Sequence, residues 1–521
     1  MNLRDLDYGF DREHIIENTK KSPVWLHFGA GNIFRAFPCA LAQRLLEAEE
    51  IDYGIIAAEG FDGEVIKRIY KPYDNLSLMV TFNSDGTMTK TPIGSVTESL
   101  YVPAKLDRLR EIFCQRTLSF VTFTITEKGY AIRNTKGEIL PAVKADAGLP
   151  PDEAETFMGS LTVCLWSRYL HCGAPIALLS LDNCSGNGDK LREAVLYYAR
   201  EWQKRRYVSS GFIDYLEDES RVTFPVSMID KITPRPDERV AESLRSEGFT
   251  DTEIIVTEKH TYIAPFVNTE APQYLVVEDK FPAGHPPLEK VGVIFTDRET
   301  VEAVERMKVS TCLNPLHTFL AVFGCLLGFN KICDEMKDET LSSLVRRLGY
   351  VEGLPVVTDP GIISPKAFID EVINERLPNP FMPDTPQRIA TDTSQKLSVR
   401  FGQTIKAYAE RGLDMSGLRC VPLLAAGWCR YLMAADDEGN AFAPSSDPLY
   451  EECHAHVADI DLGGEYSAEV IHEHLSPILS NETIFGVDLY KTPIGNAAEG
   501  YFARMISGVG AVRRTLQEEN I

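Results

Sequence analysis

The chain has 521 residues, 44% of them hydrophobic and 25% charged, a globular composition too long for one ordinary hydrophobic core. Its formal net charge of −23 disfavours binding to nucleic acid or to anionic membrane surfaces, because like charges repel. The amino terminus lacks the apolar run of a signal peptide, and no stretch reaches about 18 consecutive apolar residues. A cytoplasmic protein without a membrane span is expected.

Cysteine and histidine spacing gives little support for a metal site. The 11 cysteines include no Cys-x-x-Cys pair. Cys453, His454 and His456 form one cluster and His472 and His474 another, but neither spacing brings three ligands together unaided. We therefore expect no bound metal and, for a cytoplasmic chain with an odd number of cysteines, no disulfides.

The start of the chain alternates between strand and helix patterns. Residues 24–28 form a short apolar strand, followed by Gly29-Ala-Gly31 and a helical pattern over residues 33–46. A second strand, residues 53–58, ends at Glu59. This βαβ opening predicts an α/β fold with an N-terminal Rossmann-like, doubly wound domain.

The remaining patterns divide the chain into two parts. A hairpin is predicted around residues 83–86, between apolar runs, and further strands at residues 118–124 and 175–181 precede a helix at residues 189–205. Later segments are mostly helical, which predicts an NAD-binding domain over residues 1–295 and a helical substrate and catalytic domain over residues 296–521. A cleft between domains is the usual place for a ligand. The predicted helices of the second part span residues 296–309, 315–327, 340–347, 367–375, 385–411 and 498–518.

A glycine-rich turn marks the candidate cofactor site. Gly29-x-Gly31 allows backbone N–H groups to approach a pyrophosphate, although Phe34 occupies the place of a third glycine. Arg35 can pair with a phosphate, and Glu59 can accept hydrogen bonds from the adenosine ribose, which favours NAD over NADP. The alternatives are a plain turn and a solvated loop carboxylate, and Asp62 competes with Glu59 for the ribose.

A second candidate site groups an amine, an amide and an imidazole. Lys308 can transfer a proton, Asn314 can donate to a developing alkoxide, and His317 can orient a hydroxyl. Pro315 suits the first position of a helix, with Asn314 as its cap. The alternative is a surface ion pair between Glu305 and Lys308, followed by an ordinary helix cap.

Seven polar or glycine-containing segments follow one another between residues 24 and 400. They are His27-Phe-Gly-Ala-Gly31-x-x-Phe34-Arg35-Ala36, Thr124-Ile-Thr-Glu127-Lys-Gly-Tyr130, Leu181-Asp-Asn183, Asp230-Lys-Ile-Thr-Pro234, Glu305-x-x-Lys308, Asn314-x-x-His317 and Arg388-Ile-Ala-Thr-Asp-Thr-Ser-Gln-Lys396. In this order they resemble the polyol-specific long-chain dehydrogenases, the mannitol dehydrogenase family, which includes hexuronate reductases. The resemblance implies an NAD-linked oxidoreductase that needs no metal.

The resemblance also assigns roles in the reaction. It implies that Lys308 is the general acid/base, that Asn183 and Asn314 form the oxyanion hole, and that Glu305 lies near the proton route to solvent. One departure concerns spacing, because the family usually shows four residues between its lysine and asparagine, whereas five separate Lys308 from Asn314 here. We expect the extra residue to be absorbed in the turn before the new helix.

The substrate residues implied by the resemblance are His317, Arg388 and Lys396, with Asp230 in a supporting role. Arg400 adds positive charge to the same segment, which suits a carboxylate. This segment resembles the fructuronate reductase branch, so interconversion of D-fructuronate and D-mannonate is expected. The alternatives are a mannitol or arabinitol 2-dehydrogenase, in which Lys396 contacts only hydroxyls, and a non-catalytic NAD-binding sensor. The partner is a small sugar acid or polyol, and the sequence leaves open whether the protein is a monomer or a homo-oligomer.

Overall fold

The computed structural model describes residues 1–83, 86–134, 136–382 and 384–520, and the chain divides into two compact units. The first unit contains Met1–Asn83 and Thr87–Val301, and the second begins at Glu302. This division falls within the helix Arg298–Met307, whereas the sequence placed the domain boundary at residues 295/296.

Parallel strands form the centre of the first unit. Within its described residues, six strands pair in the order β5-β2-β1-β6-β7-β8, and every pairing is parallel. Leu26 and Phe28 belong to a hydrophobic core on one face of this sheet and Trp25 to a core on the other, so the predicted doubly wound fold is confirmed. The strands, in chain order, are β1 Trp25–Phe28, β2 Ile55–Glu59, β3 Ser77–Phe82, β4 Met88–Ile93, β5 Val96–Tyr101, β6 Phe120–Phe123, β7 Ile176–Ser180, β8 Val222–Thr223, β9 Ser227–Asp230, β10 Ile255–Val256, β11 Tyr262–Ile263, β12 Phe266–Glu270, β13 Tyr274–Glu278 and β14 Ile294–Thr296.

In the described part of the chain, three smaller sheets accompany the central one. The predicted hairpin is confirmed, because β3 and β4 pair antiparallel, and β12 extends them into a three-stranded sheet. Residues 84 and 85 of the predicted turn lie outside the described part of the chain. The other small sheets have the orders β14-β13-β9 and β10-β11.

The helix predicted over residues 33–46 is interrupted. Phe37 leaves helical geometry, with φ −127° and ψ −73°, because the following Pro38 crowds the backbone of the preceding residue. The prediction of one continuous helix was therefore wrong. The helices of the first unit are α1 Arg12–Lys21, α2 Asn32–Ala36, α3 Pro38–Glu47, α4 Gly63–Val65, α5 Leu106–Phe113, α6 Thr126–Tyr130, α7 Pro141–Asp146, α8 Phe157–His171, α9 Asn187–Lys204, α10 Ser210–Glu217 and α11 Glu238–Ser246.

The second unit is helical, as predicted. Its predicted helix over residues 385–411 is divided, because Asp392 adopts a left-handed backbone conformation with φ 53° that an α-helix cannot continue through. The helices are α12 Arg298–Met307, α13 Asn314–Leu326, α14 Ile332–Glu335, α15 Glu339–Arg347, α16 Pro365–Glu371, α17 Pro386–Ile389, α18 Thr393–Leu397, α19 Gln403–Glu410, α20 Cys420–Leu432, α21 Tyr450–His454, α22 Ala468–Leu479, α23 Glu482–Phe485, α24 Pro493–Met505 and α25 Ala511–Glu518.

One helical run within the described residues, Arg298–Leu326, is long and apolar enough to cross a membrane. Of its most apolar stretch, 83% is buried inside the protein. A core helix meets the same criterion, because a helix that is apolar all round is usually surrounded by other parts of its own protein.

Candidate active site

The glycine-rich turn, residues 29–31, connects β1 with α2 at the carboxyl end of the parallel sheet. Gly29 has φ 103°, and a Cβ placed there would lie 2.1 Å from the carbonyl oxygen of Thr124, so only glycine fits. A Cβ on Gly31 would meet no atom within 4 Å. The backbone at Gly31 therefore faces open space, and the turn fits a cofactor whose pyrophosphate approaches backbone N–H groups closely.

The Glu59 carboxylate is hydrogen-bonded within the first unit. Its Oε2 accepts from the N–H of Ala30 at 2.8 Å, and its Oε1 accepts from the N–H groups of Phe61 at 2.7 Å and Asp62 at 3.1 Å. Glu59 thus joins the glycine-rich turn to the loop after β2. Asp62, the competing candidate, is buried and accepts from the hydroxyl of Thr257 at 2.6 Å. Ribose binding by Glu59 stays a prediction.

Phe34 and Arg35 support the glycine-rich turn from inside. The Phe34 ring stacks on the buried imidazole of His27, with ring centroids 3.9 Å apart. Arg35 is also buried, and its guanidinium donates to the carbonyl of Ala264 at 2.7 Å and to the side-chain oxygen of Asn32 at 2.8 Å. Burial lowers the pKa of Arg35. Phosphate pairing by Arg35 stays a prediction, and the contacts that the structure describes hold α2 in place.

Asp182 anchors the segment that carries Asn183. Its carboxylate accepts from the N–H groups of Ile125 and Thr126, both at 2.9 Å, and from the hydroxyl of Tyr130 at 2.5 Å. Thr126 has φ 65°, an unfavourable conformation for a β-branched residue, which these bonds hold. Asn183 itself is exposed, three residues after the end of β7. The sequence interpretation gave Asp182 no role. It belongs to one of the seven segments, however, and its carboxylate contacts another, the segment that begins at Thr124.

The remaining predicted residue of the first unit is Asp230. It is buried at the end of β9, opposite Tyr274 of β13. That position fits a supporting role, and its contact with a substrate stays a prediction.

Lys308 begins a π-helical segment, Lys308–Cys312, directly after α12. The N–H of Leu313 donates to the carbonyl of Lys308 at 3.1 Å, the i to i+5 bond that accommodates one additional residue in a helix. Lys308 is only 4% exposed. Four of the five residues between Lys308 and Asn314 belong to this π-helical segment, so the expectation that a turn absorbs the extra residue was wrong. Glu305, half-buried on α12, lies one helical turn before the lysine.

Asn314 and His317 lie in the first turn of α13. The helix begins at Asn314 itself, and its cap position is Leu313, so the prediction that Asn314 caps the helix was wrong. His317 follows three residues later and is largely buried. Burial, together with the positive charges of Arg400, Arg388, Arg376 and Lys396, lowers the pKa of His317 to about 3. The imidazole is therefore neutral at physiological pH and can exchange hydrogen bonds with a hydroxyl.

We call these four side chains, Arg376, Arg388, Lys396 and Arg400, the cationic cluster. Sequence reasoning missed the carboxylate beside it, Asp384, which is buried, pairs with Arg388 and lies 3.4 Å from the Nε2 of His317. A signal for Asp384 existed, because it lies four residues before Arg388, where the last of the seven segments begins.

The members of the cationic cluster differ in exposure. Arg388, one of the predicted substrate residues, is exposed, with 61% of its side-chain surface accessible. Arg400 lies deeper; burial lowers its pKa to about 10, and its guanidinium donates to the hydroxyl of Thr318 at 2.5 Å. The ammonium of Lys396 donates to the carbonyl of Thr391, and burial lowers its pKa too. Arg400 is thus the better candidate for a desolvated contact with a carboxylate.

The histidines of the two suggested metal clusters have other contacts. The Nδ1 of His454 bonds to the carbonyl of Leu432 at 2.7 Å, and that of His474 to the carbonyl of His456 at 2.7 Å. The residues that the structure describes contain no group of three or more His, Cys, Asp or Glu placed to hold a metal ion.

Comparison with known proteins shows the family of the chain over almost its whole length. Residues 24–290 match the family model described as the mannitol dehydrogenase Rossmann domain, and residues 300–498 match that of the mannitol dehydrogenase C-terminal domain. A D-mannonate oxidoreductase of Thermotoga maritima is 52% identical over 515 residues, which cover 98% of this chain and 94% of that protein. A mannitol 2-dehydrogenase of Pyrenophora tritici-repentis is 32% identical, over 83% of this chain and 73% of its own length.

Solved structures agree with the fold. A substrate-free D-sorbitol dehydrogenase superposes with a TM-score of 0.80 at 25% identity, covering 96% of both chains. The Pseudomonas fluorescens mannitol 2-dehydrogenase, in a ternary complex with NAD and D-mannitol, gives a TM-score of 0.71 at 25% identity, covering 100% of this chain and 99% of that one.

Proposed function

The chain belongs to the mannitol dehydrogenase family, and we propose that it is an NAD-dependent oxidoreductase that interconverts D-fructuronate and D-mannonate. Its sequence identity of 52% with the Thermotoga maritima D-mannonate oxidoreductase, over nearly the full length, supports this substrate pair. The observation that carries the proposal is the position of the cationic cluster in a protein of net charge −23. Arg400 donates to the hydroxyl of Thr318, the residue after His317, and Arg388 pairs with Asp384, which lies 3.4 Å from the His317 ring. A hexuronate has a carboxylate that such a cluster can bind, and a neutral polyol does not.

Bound NAD supplies the hydride acceptor for alcohol oxidation, and NADH the hydride donor for ketone reduction. Lys308 transfers the proton to or from the substrate oxygen, in a buried position that limits competition from water. The side-chain amides of Asn183 and Asn314 donate hydrogen bonds to the negative charge that develops on that oxygen. Glu305, one turn from Lys308, relays the proton towards solvent.

Substrate orientation falls to the residues around His317. The neutral imidazole forms a hydrogen bond with a substrate hydroxyl. Asp384, which lies beside the imidazole, is held in place by its ion pair with Arg388. Arg400 and Lys396 bind the carboxylate, since a guanidinium can form two parallel bonds with it. A hydroxymethyl group at the same place would leave the desolvation of Arg400 uncompensated, which favours the hexuronate.

The test is a comparison of kcat/KM for D-fructuronate and D-fructose, each with NADH and with NADPH. We expect D-fructuronate to be strongly preferred, and NADH to exceed NADPH because the Glu59 carboxylate repels a 2′-phosphate. A substrate ratio at or below one would place the protein with the mannitol 2-dehydrogenases. NADH binding without turnover of any ketose or sugar acid would instead support the sensor alternative.

A further inference from the structure

Phe61 is an exposed aromatic residue at the carboxyl end of the central sheet. It lies two residues after β2 ends at Glu59, and 65% of its surface is accessible. When a flat ligand binds against a large exposed aromatic side chain, apolar surface of the ring is removed from water, which favours binding. An exposed aromatic ring near the glycine-rich turn is therefore a candidate ligand contact.

The position of Phe61 is fixed relative to the glycine-rich turn. The two oxygens of Glu59 accept from the N–H of Ala30, inside the turn, and from the N–H of Phe61, as described above. One buried carboxylate thus links the backbone that faces a pyrophosphate to the backbone that presents the ring. Such a link holds the spacing between the two features constant.

A second segment of the first unit fixes the ring itself. The ammonium of Lys259 lies 4.5 Å from the centroid of the Phe61 ring, and it donates to the Phe61 carbonyl. The segment of Lys259 is attached by the bond from the Thr257 hydroxyl to the Asp62 carboxylate, at 2.6 Å. The neighbouring Val256 is also 47% exposed. Lys259 therefore contacts both the ring and the backbone of Phe61 at an accessible surface.

We propose that Phe61, oriented by Lys259, is the platform on which the adenine ring of the cofactor stacks. In doubly wound sheets the adenosine half of a dinucleotide lies beside the end of the second strand, next to its last acidic residue, which here is Glu59. Every nucleobase has a π-face, so an aromatic side chain binds it without needing a particular hydrogen-bond pattern. The proposal rests on NAD being the cofactor.

The experiment measures binding and not turnover. Dissociation constants are determined by titration calorimetry for NADH, for ADP-ribose, and for the reduced nicotinamide mononucleotide, which has no adenine. Phe61→Ala should weaken NADH and ADP-ribose by about tenfold or more, the effect of losing one base–aromatic stack, and leave the mononucleotide unchanged. Leu170→Ala is the matched control, because Leu170 is 63% exposed on α8 and has no predicted contact with the cofactor.

Two further variants add independent measurements. Phe61→Trp should restore binding and give a tryptophan emission that changes with ADP-ribose but not with the mononucleotide. Lys259→Met should weaken ADP-ribose by a smaller factor, since it removes the contact that orients the ring but keeps the ring.

Two results would overturn the platform. Unchanged affinities in Phe61→Ala would show that the ring has no contact with adenine, and an equal loss for all three ligands would show that Phe61 only supports the fold. Failure of the premise that NAD is the cofactor looks different, because the wild-type protein would then bind none of the three ligands.

Discussion

The glycine-rich turn and the cationic cluster represent opposite ways of presenting polarity to a ligand. Around the turn, the charged side chains of Glu59 and Arg35 are buried and bonded to the protein, and the accessible part is the backbone at Gly31. In the cationic cluster, the charges of four positive side chains help to lower the pKa of a buried His317 and keep it neutral. Recognition by backbone should therefore be sensitive to an added Cβ, and recognition by charge to the loss of one cation.

The largest expected effect concerns neither mode of recognition but the proton. Lys308→Ala should lower turnover by roughly a hundredfold or more, the usual contribution of a general acid/base, while NADH affinity stays near wild type. Steady-state kinetics together with an NADH titration check this. Wild-type turnover in Lys308→Ala would mean that another group transfers the proton, and that the π-helical segment does not aim the lysine as proposed.

A matched pair of glycine variants tests the backbone mode. Gly29→Ala should reduce the free energy of unfolding by roughly 2 kcal/mol or more, because the new Cβ meets the Thr124 carbonyl and the backbone has a positive φ. Gly31→Ala should fold normally yet bind NADH about tenfold more weakly, ~1.4 kcal/mol, because its Cβ fills the space of the pyrophosphate. Thermal unfolding and NADH titration of both variants separate the two effects. Normal NADH affinity in Gly31→Ala would remove the turn from the cofactor site.

Loss of one cation tests the charge mode. Arg400→Met should lower kcat/KM for D-fructuronate by roughly tenfold to a hundredfold, the range for a hydrogen bond to a charged group, with little change for D-fructose. Arg388→Met is the comparison, because Arg388 is exposed and already paired with Asp384, so a smaller loss is expected. A larger loss in Arg388→Met than in Arg400→Met would restore the original sequence-based assignment.

Glu335 is a buried carboxyl group in the second unit. Both of its carboxyl oxygens are buried without a hydrogen-bond partner among the described residues, and a Cβ on Gly324 of α13 would lie 2.1 Å from its Oε1. Burial is the main cause that raises the pKa of Glu335 to about 9, and the negative charges of Asp334 and Asp338 raise it further. The folded protein therefore keeps a proton that the unfolded chain releases near the ordinary pKa of 4.5.

The sign of the pH dependence follows from that proton. Between the two pKa values the folded state binds more protons, so the free energy of unfolding falls as pH rises, by about 1.4 kcal/mol per pH unit for this group. Glu335→Gln should remove this slope, and the exposed control Glu339→Gln should keep it. Denaturant unfolding at pH 6 and pH 8 measures both. Equal slopes in wild type and Glu335→Gln would show that the carboxyl is not held neutral.

The smallest expected effect is that of a chelator. The amine of Lys308 and the amides of Asn183 and Asn314 can stabilise the negative charge on the substrate oxygen without a metal ion. Dialysis against EDTA should therefore leave turnover unchanged. Activity lost on dialysis and restored by zinc would contradict the proposed chemistry.

Sequence patterns were most informative where local rules decide the structure. The strand, glycine-rich turn and second strand at the start of the chain, and the hairpin of β3 and β4, are confirmed because alternation and turn residues act over a few positions. The continuous helices predicted over residues 33–46, 385–411 and 498–518 were wrong. At Pro38 the steric effect was visible in the sequence, whereas the left-handed Asp392 has no local signal, and its N–H is bonded to the distant Ser446 carbonyl.

The sequence by itself determined the fold class, the family and the types of side chain available for cofactor, proton and carboxylate. Only the tertiary structure decided how those side chains are used. It bonded Glu59 and Arg35 inward, exposed Arg388, and placed Asp384 between His317 and Arg388. It also brought Lys259 to the ring of Phe61. Burial and hydrogen bonding depend on residues far apart in the chain, and no local pattern records which of them will meet.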